Sequence, residues 1–237
     1  MKEIKKYADQ WDVSAQYLYD KGDYSWMAQK LTDYSTVVEL GCGTGYSTLA
    51  LAEKGFKVLA VDKNTACLAK AKELLGSKGI TDSQVIFIEG DITDENFRKN
   101  LIALYKFDVV ICWNVGTYWS KEMAQYYVPY MLRYGLNVQQ IRENPESSYS
   151  ELIIWEVCRF AKSMNVSAHI VDRNAEVINE KNDPYYYMLK NEFEYSEIMY
   201  DNLIANSISD GGRILTTNGT VNRSNKIDIV FVSILMR

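Results

Sequence analysis

The chain has 237 residues, a net charge of -5 at pH 7 and four cysteines. This length suits one well-buried α/β domain over residues 1–237 rather than two domains. The negative charge, without a local Lys/Arg block, disfavours a nucleic-acid partner. The cysteines lie far apart in the sequence, within apolar or helical patterns, which indicates reduced thiols rather than disulfides. No apolar run is long enough to span a bilayer. We therefore expect a cytoplasmic protein without a membrane partner.

The first half of the chain alternates apolar runs with helical patterns. Strands that alternate with helices predict a parallel sheet built of right-handed βαβ units. The last strand, residues 107–113, is almost continuously apolar, which is typical of a strand buried on both faces. The predicted strands are residues 36–40, 56–61, 84–88 and 107–113, and the predicted helices are residues 47–54, residues 66–75 and a third that starts near Thr93.

The pattern changes after Asn114. All three prolines and eleven of the eighteen tyrosines lie within residues 118–200, so this is where the chain departs from simple alternation. Residues 148–164 have the apolar spacing of a helix, and residues 166–171 have the pattern of a fifth strand. We therefore predict a helical cap at residues 118–165, inserted after the fourth strand.

The end of the chain is predicted to hold one long helix and a hairpin. A helical pattern runs from about residue 187 to 208, and the glycine pair at 211–212 favours a stop there. Residues 213–218 and 227–236 then form two strands around a polar turn. The predicted fold is a doubly wound, mostly parallel seven-stranded sheet with a C-terminal antiparallel hairpin strand, which is a Rossmann-like fold.

The first strand runs into a glycine-rich turn within the segment VVELGCGTGYST. Its glycines are spaced G-x-G-x-G, whereas the dinucleotide fingerprint is G-x-G-x-x-G, and Tyr46 stands where the third glycine of that fingerprint would fall. This spacing disfavours a pyrophosphate as the ligand of the turn.

Carboxylates follow the first three predicted strands. Glu39 is near the end of the first strand, Asp62 ends the second and Asp91 follows the third, and none of these positions holds a lysine or arginine for a phosphate. Open α/β sheets bind ligands at the carboxyl ends of their strands. A pyrophosphate there would meet like charge, whereas a cationic ligand with ribose hydroxyls and an amino group would be well matched.

Four segments in order, VVELGCGTGYST, VLAVDKN, IEGDIT and FDVVICWNVGTY, resemble the class I S-adenosylmethionine-dependent methyltransferases. The resemblance implies methyl transfer from S-adenosylmethionine, with S-adenosylhomocysteine as product. It implies that the glycine loop approaches the methionine and ribose parts, and that Glu39 holds the amino group or supports the loop. Asp62 would take the ribose hydroxyls, with Lys63 next to it. The loop glycines are Gly41, Gly43 and Gly45.

The same resemblance assigns the other end of the cofactor. Asp91 and the Ile92 backbone would read the adenine edge. The end of the fourth strand would border the methionyl part, through Cys112, Trp113 and Asn114.

The N-terminal segment WDVSAQYLYD resembles the aromatic lid that such enzymes fold over the cofactor. This likeness predicts a helical lid at residues 1–34. It would place Trp11, Tyr17 and Tyr19 near the cofactor.

The acceptor stays open at this stage. The stretch NVGTY lacks the prolines of the DNA and RNA amino-methyltransferases, and Asn114 stands where the catechol-type enzymes have a metal-binding carboxylate, so no metal is expected. We expect a small or medium acceptor, oriented by Asn114 and Tyr118 as the catalytic residues. The alternatives are an RNA or protein methyltransferase, an NAD(P)-binding oxidoreductase, and a cofactor-binding module without catalysis. The methylated atom and the oligomeric state are left undetermined.

His169 is the chain's single histidine and lies inside the predicted fifth strand. A buried, hydrogen-bonded core residue is favoured there over a general base.

Overall fold

The computed structural model describes residues 2–115, 119–183, 185–208, 214–215, 221–222 and 226–237. Helices and strands alternate through most of these ranges. The helices are α1 (Lys2–Asp20), α2 (Asp23–Gln29), α3 (Tyr46–Glu53), α4 (Thr65–Ser77), α5 (Glu95–Leu104), α6 (Lys121–Tyr134), α7 (Val138–Glu143), α8 (Pro145–Ser163) and α9 (Tyr185–Glu192). The strands are β1 (Thr36–Leu40), β2 (Lys57–Asp62), β3 (Val85–Glu89), β4 (Val109–Trp113), β5 (Ser167–Asn174), β6 (Ile198–Ile208), β7 (Ile214–Leu215), β8 (Val221–Asn222) and β9 (Lys226–Met236).

Seven strands form one sheet in the order β3-β2-β1-β4-β5-β9-β6. The first five are parallel, and β9 runs antiparallel to both β5 and β6. The predicted Rossmann-like fold is therefore confirmed. The order reverses between β1 and β4, where an open α/β sheet forms its ligand crevice.

Two helical layers cover the sheet, and β4 is buried along its whole length. Its alternate side chains enter opposite layers, as the pleat requires. Val110 and Cys112 pack in the cluster that includes residues of α6, α7 and α8, whereas Ile111 and Trp113 pack in the cluster that includes residues of α1, α2 and α3. No helix in the described ranges is both long and apolar enough to cross a membrane.

The long helix predicted at residues 187–208 is wrong. The chain forms the short helix α9 and then the edge strand β6, which pairs with β9 from Ile198 opposite Met236 to Ile208 opposite Lys226. The apolar spacing in this segment fits a helix. The free energy of pairing eleven residues of β6 with β9 outweighs that local preference. The outer strand leaves Ile204 78% exposed, a position that a core-facing helix pattern would have buried.

The predicted pairing of the C-terminal strand is also wrong. The antiparallel neighbour of β9 is β6 and not residues 213–218. Within that range only Ile214 and Leu215 are described, and they pair with β8 in a separate two-stranded sheet. The remaining residues of the predicted strand lie outside the described residues.

Three helices follow β4 where a cap was predicted. Helix α8 packs against both β4 and β5, so it is the crossover between these parallel strands. Helices α6 and α7 are additional to that crossover. Asn137 caps α7 by accepting from the Gln140 N–H, and Pro145 occupies the first turn of α8, where its missing N–H needs no partner.

Candidate functional site

A cavity of about 450 Å³ lies at the carboxyl edge of the sheet. This volume is within the range of small-molecule sites. Its walls come from α1, the loops after β1, β2, β3 and β4, and the helices α6 and α8. The lining includes Ile4, Tyr7, Trp11, Gly41, Gly43, Asp62, Lys63, Asp91, Ile92, Val115, Tyr127, Tyr149 and Ile153.

Two glycines in the loop after β1 lie so close to neighbouring residues that a side chain would not fit. Gly43 has φ +55°, and a Cβ on it would lie 2.5 Å from Nε1 of Trp11. A Cβ on Gly45, which has φ +91°, would lie 2.8 Å from the backbone of Ala71 in α4. Gly41 and Gly43 line the cavity, whereas Gly45 packs the loop onto α4.

Glu39 lies beneath this loop and is 1% exposed. Its two carboxylate oxygens accept hydrogen bonds from the hydroxyls of Ser47 and Thr48 in α3, each at 2.5 Å. It does not line the cavity, so it supports the loop rather than facing a ligand. Burial raises the pKa of Glu39 to about 7, and the nearby Asp62 charge adds to the increase, while the two hydroxyls oppose it.

Replacing Glu39 with glutamine is expected to change how stability depends on pH. A raised folded-state pKa means that the stability from protonated Glu39 is fully present below its ordinary value of 4.5 and is lost as pH rises through about 7. Relative to Glu39→Gln, the wild type should lose about 2 to 3 kcal/mol of unfolding free energy between about pH 5 and about pH 8. Denaturant titrations at both pH values measure this difference. Equal pH dependence in the two proteins would contradict the assignment.

Asp62 ties the end of β2 to the glycine loop. One carboxylate oxygen accepts from the Gly43 N–H at 2.8 Å and the other accepts from the Asn64 N–H at 2.8 Å. The side chain also lines the cavity. Burial raises the pKa of Asp62, and the backbone donors from Asn64 and Gly43 oppose this increase.

Asp91 closes the cavity after β3. One oxygen accepts from the backbone N–H and the hydroxyl of Thr93, at 2.9 and 2.8 Å, and the other accepts from the Tyr127 hydroxyl. Ile92 lies beside it in the lining. The two residues predicted to read adenine are thus together at one end of the cavity.

Two tyrosines, one from α6 and one from α8, contact Lys63. The Lys63 ammonium donates to the hydroxyls of Tyr127, at 3.1 Å, and Tyr149, and it lies 4.5 and 4.2 Å from their ring centroids. Tyr127 belongs to α6 and Tyr149 to α8. Sequence reasoning missed both tyrosines, because a Tyr-rich segment does not reveal which rings face a distant strand end.

Helix α1 covers the cavity with one face. Ile4, Tyr7 and Trp11 follow the i, i+3, i+7 spacing of a helical stripe, and all three line the cavity. This spacing could have identified Ile4 and Tyr7 from the sequence. Tyr17 and Tyr19 do not line the cavity, since Tyr17 points to a different side of the helix and Tyr19 lies about 12 Å further along its axis.

These two tyrosines have other partners. Tyr19 donates to Glu53 at 2.7 Å and packs against Tyr46, with ring centroids 5.7 Å apart. Tyr17 packs against the core cluster on the α3 side of the sheet, with the Lys21 ammonium 5.5 Å from its ring centroid. Both therefore help to hold α1 on the domain.

The end of β4 is buried, as predicted, but the three residues expected to border the methionyl part of the cofactor do not face the cavity. Cys112, Trp113 and Asn114 are 1%, 3% and 4% exposed, and none lines the cavity, although the next residue, Val115, does. Asn114 has a left-handed φ of 48°. Burial raises the pKa of the Cys112 thiol, so it is an inert core group. Tyr118 lies outside the described residues.

His169 is a core residue, as predicted. It is fully buried, and Trp113 Nε1–H donates to its Nδ1 at 2.9 Å. Nε2 therefore carries the hydrogen and donates to the Ser233 hydroxyl at 2.8 Å. Burial lowers the pKa of His169 to about 3, so the ring is neutral. Within the described ranges, no group of three or more His, Cys, Asp or Glu residues could hold a metal ion.

The fold and this cavity together define the class: an open α/β domain with a ligand-sized cavity at its topological switch point. Residues 37–133 match the family model described as a methyltransferase domain. Over 78 residues the chain is 42% identical to cypemycin N-terminal methyltransferase of Streptomyces sp, a match that covers 33% of this chain and 27% of that protein. The chain spans only 26% to 27% of the length of the curated relatives that it matches.

Solved structures agree on the fold. The S-adenosylmethionine-dependent methyltransferase from Agrobacterium tumefaciens gives a TM-score of 0.52 at 14% identity, covering 92% of this chain and 62% of that chain. EvdMO1 gives 0.51 at 13% identity, covering 91% and 41%. The match over residues 37–133 and the similarity to named methyltransferases support a class I S-adenosylmethionine-dependent methyltransferase, with S-adenosylmethionine as the cofactor.

Proposed function

We propose that the protein transfers a methyl group from S-adenosylmethionine to a small or medium acceptor. The observation that supports this most directly is the convergence of the glycine loop, Asp62 and Asp91 on one cavity beside the β1/β4 switch point. Among the described residues that line the cavity, Lys63 is the only basic one, and its ammonium donates to the hydroxyls of two tyrosines.

The residues present fit the cofactor. Gly41 and Gly43 line the cavity and present backbone rather than a side chain to a ligand. Asp62 keeps lone pairs for ribose hydroxyls beyond its two backbone donors. Asp91 and Ile92 line the same cavity, which supports their proposed role toward the adenine.

The chemistry requires little from the protein beyond positioning. When bound, S-adenosylmethionine supplies an electrophilic methyl group on a sulfonium. Holding an acceptor in line can contribute about 7 to 11 kcal/mol. The Trp11 ring offers an aromatic face suited to a cation, and α1 shields the cavity from water. We assign Asn114, which follows β4, to orienting the acceptor, together with Tyr118, which lies outside the described residues.

Helices α1 and α2 are proposed as the lid, residues 1–34. Contacts that hold α1 down are partly exposed: Lys70 pairs with Asp9 and Asp12, each at 3.1 Å. Exposed ion pairs contribute about 0 to 1 kcal/mol, so they can open at little free-energy cost. Gly22 joins the two helices with φ +81°, a conformation that glycine adopts without strain.

The cap favours a small acceptor. Its cavity-lining side chains include Tyr127, Tyr149 and Ile153, which offer aromatic and apolar surface rather than cations for a phosphate backbone. One relative is named as an N-terminal methyltransferase, so a peptide amine should also be tested as an acceptor.

Ligand binding and product release test the proposal. Calorimetry should show micromolar binding of S-adenosylmethionine and S-adenosylhomocysteine and none of NAD. A release assay for S-adenosylhomocysteine should then be run with metabolite pools, peptide libraries, total RNA and DNA, and turnover is expected with metabolites. Binding of NAD alone would refute the cofactor, whereas salt-sensitive turnover on RNA or DNA alone would refute the acceptor class.

A further inference from the structure

Arg173 extends past the end of the neighbouring strand. The pairing of β4 with β5 ends at Trp113 opposite Val171, and Arg173 is two residues further, paired only with Phe231 of β9. Because side chains alternate along a strand, Arg173 emerges on the same face as Val171, in the layer that contains α1 and α2. Asn114, directly after β4, donates its N–H to the Val171 carbonyl at 2.6 Å.

The side chains of these two residues hold hydrogen-bond donors without partners. Nε and Nη2 of Arg173 and Nδ2 of Asn114 are shielded from solvent and have no hydrogen-bond partner within the described part of the chain. The Tyr24 hydroxyl lies near Asn114 but does not complete a hydrogen bond with Nδ2. A buried unsatisfied donor costs about 1 to 3 kcal/mol, and more when it is charged.

The adjacent carboxylate does not satisfy Arg173. One oxygen of Asp172 accepts from the backbone N–H of Arg173 at 2.8 Å, and the other accepts from the Tyr186 hydroxyl at 3.0 Å. Burial lowers the pKa of Arg173, which marks a desolvated cation that its surroundings only partly offset.

The orientation of the guanidinium indicates what it can bind. Its centre lies 5.4 Å from the Trp11 ring, so one face is covered by an aromatic side chain. Nε and Nη2 form one edge of the guanidinium plane, and two parallel N–H donors on such an edge match a carboxylate or phosphate. With the amide nitrogen of Asn114, the set contains donors only, which suits an anion.

The unpaired donors of Arg173 and Asn114 lie next to residues that line the cavity, so they are near the space available to the acceptor. Trp11, which contacts Arg173 on one side, also lines the cavity, and so does Val115, the residue after Asn114. We propose that Arg173, together with Asn114, binds an oxyanion of the methyl acceptor, which is therefore an acidic small molecule bearing a carboxylate or phosphate. This inference rests on the proposed methyltransferase function. Access from the cavity requires the Trp11 side chain to move.

Anion binding is the first arm of the test. Acetate, inorganic phosphate and the neutral acetamide are titrated into the protein with and without S-adenosylhomocysteine, and the melting temperature is recorded. Acetate or phosphate should raise it and acetamide should not, and the more effective anion distinguishes carboxylate from phosphate. The increase should be lost in Arg173→Met and reduced in Arg173→Lys, which keeps the charge without the two-donor edge.

Arg159→Met is the matched control. The Arg159 guanidinium also lies over a tryptophan, 5.0 Å from the Trp155 ring, but its nitrogens already donate to Glu156. It should keep the anion response. No response to either anion in the wild type, or an unchanged response in both Arg173 variants, would overturn the proposal.

The second arm separates the acceptor from the cofactor. In the release assay, acidic acceptors should be preferred over their neutral esters, and Arg173→Met should lower kcat/KM for the acid about tenfold to hundredfold. Affinity for S-adenosylhomocysteine should stay within about twofold, well below the tenfold that about 1.4 kcal/mol of binding free energy represents. A tenfold loss of that affinity would assign Arg173 to the methionyl carboxylate and overturn the acceptor role. If the wild type does not bind S-adenosylhomocysteine, the proposed function is refuted. The anion titration without S-adenosylhomocysteine tests the Arg173 site independently of that result.

Discussion

Asp62→Ala is expected to weaken S-adenosylhomocysteine binding by about 1.5 to 3 kcal/mol, roughly tenfold to 150-fold, the range for hydrogen bonds to a charged group. Asp62 faces the cavity and also holds the Gly43 N–H at 2.8 Å, so its loss removes contacts to the ribose and loosens the loop. Isothermal calorimetry of the variant and the wild type measures the difference.

Asp108→Ala provides a matched control. Asp108 also accepts from two backbone N–H groups, those of Ser35 and Thr36, each at 2.9 Å. These bonds lie at the amino ends of β1 and β4, opposite the cavity. Both variants lose two backbone hydrogen bonds, but only Asp62→Ala should lose cofactor affinity. Equal affinities in the two variants would show that Asp62 does not contact the cofactor.

His169→Asn is expected to lower stability and leave cofactor affinity unchanged. A shorter side chain cannot reach both Trp113 Nε1 and the Ser233 hydroxyl, which His169 joins at 2.9 and 2.8 Å. Loss of one buried hydrogen bond with an unsatisfied partner costs about 1 to 3 kcal/mol. Denaturant unfolding at neutral pH measures this difference.

The difference should also shrink in acid. The folded-state pKa of His169 is depressed from 6.5 to about 3, so its contribution is fully present above 6.5 and is lost as pH falls toward the folded value. Protonation would place a second donor against the Trp113 N–H. Between about pH 7.5 and about pH 5 the wild type should lose about 2 kcal/mol relative to His169→Asn. A collapse of turnover with unchanged stability would instead indicate a general base.

Short sequence patterns were enough to predict the secondary structure of the first half of the chain. Strands β1 to β4 and the loop glycines follow from short apolar runs and from spacing within one turn, and both depend on residues close in the chain. The position of Lys63 next to Asp62 predicts that it lies near the cofactor. Its bonds to Tyr127 and Tyr149, 64 and 86 residues away, could not be predicted, because no local pattern records such a contact.

The sequence by itself therefore determined the parallel sheet, the glycine loop, the carboxylates at the strand ends and the core position of His169, since each depends on periodicity or spacing over a few residues. Only the tertiary structure decided that residues 198–208 pair with β9, that one face of α1 covers the cavity, and that Arg173 and Asn114 bring unpaired donors together. These features depend on contacts between distant segments, whose free energies outweigh local preference and leave no trace in local spacing.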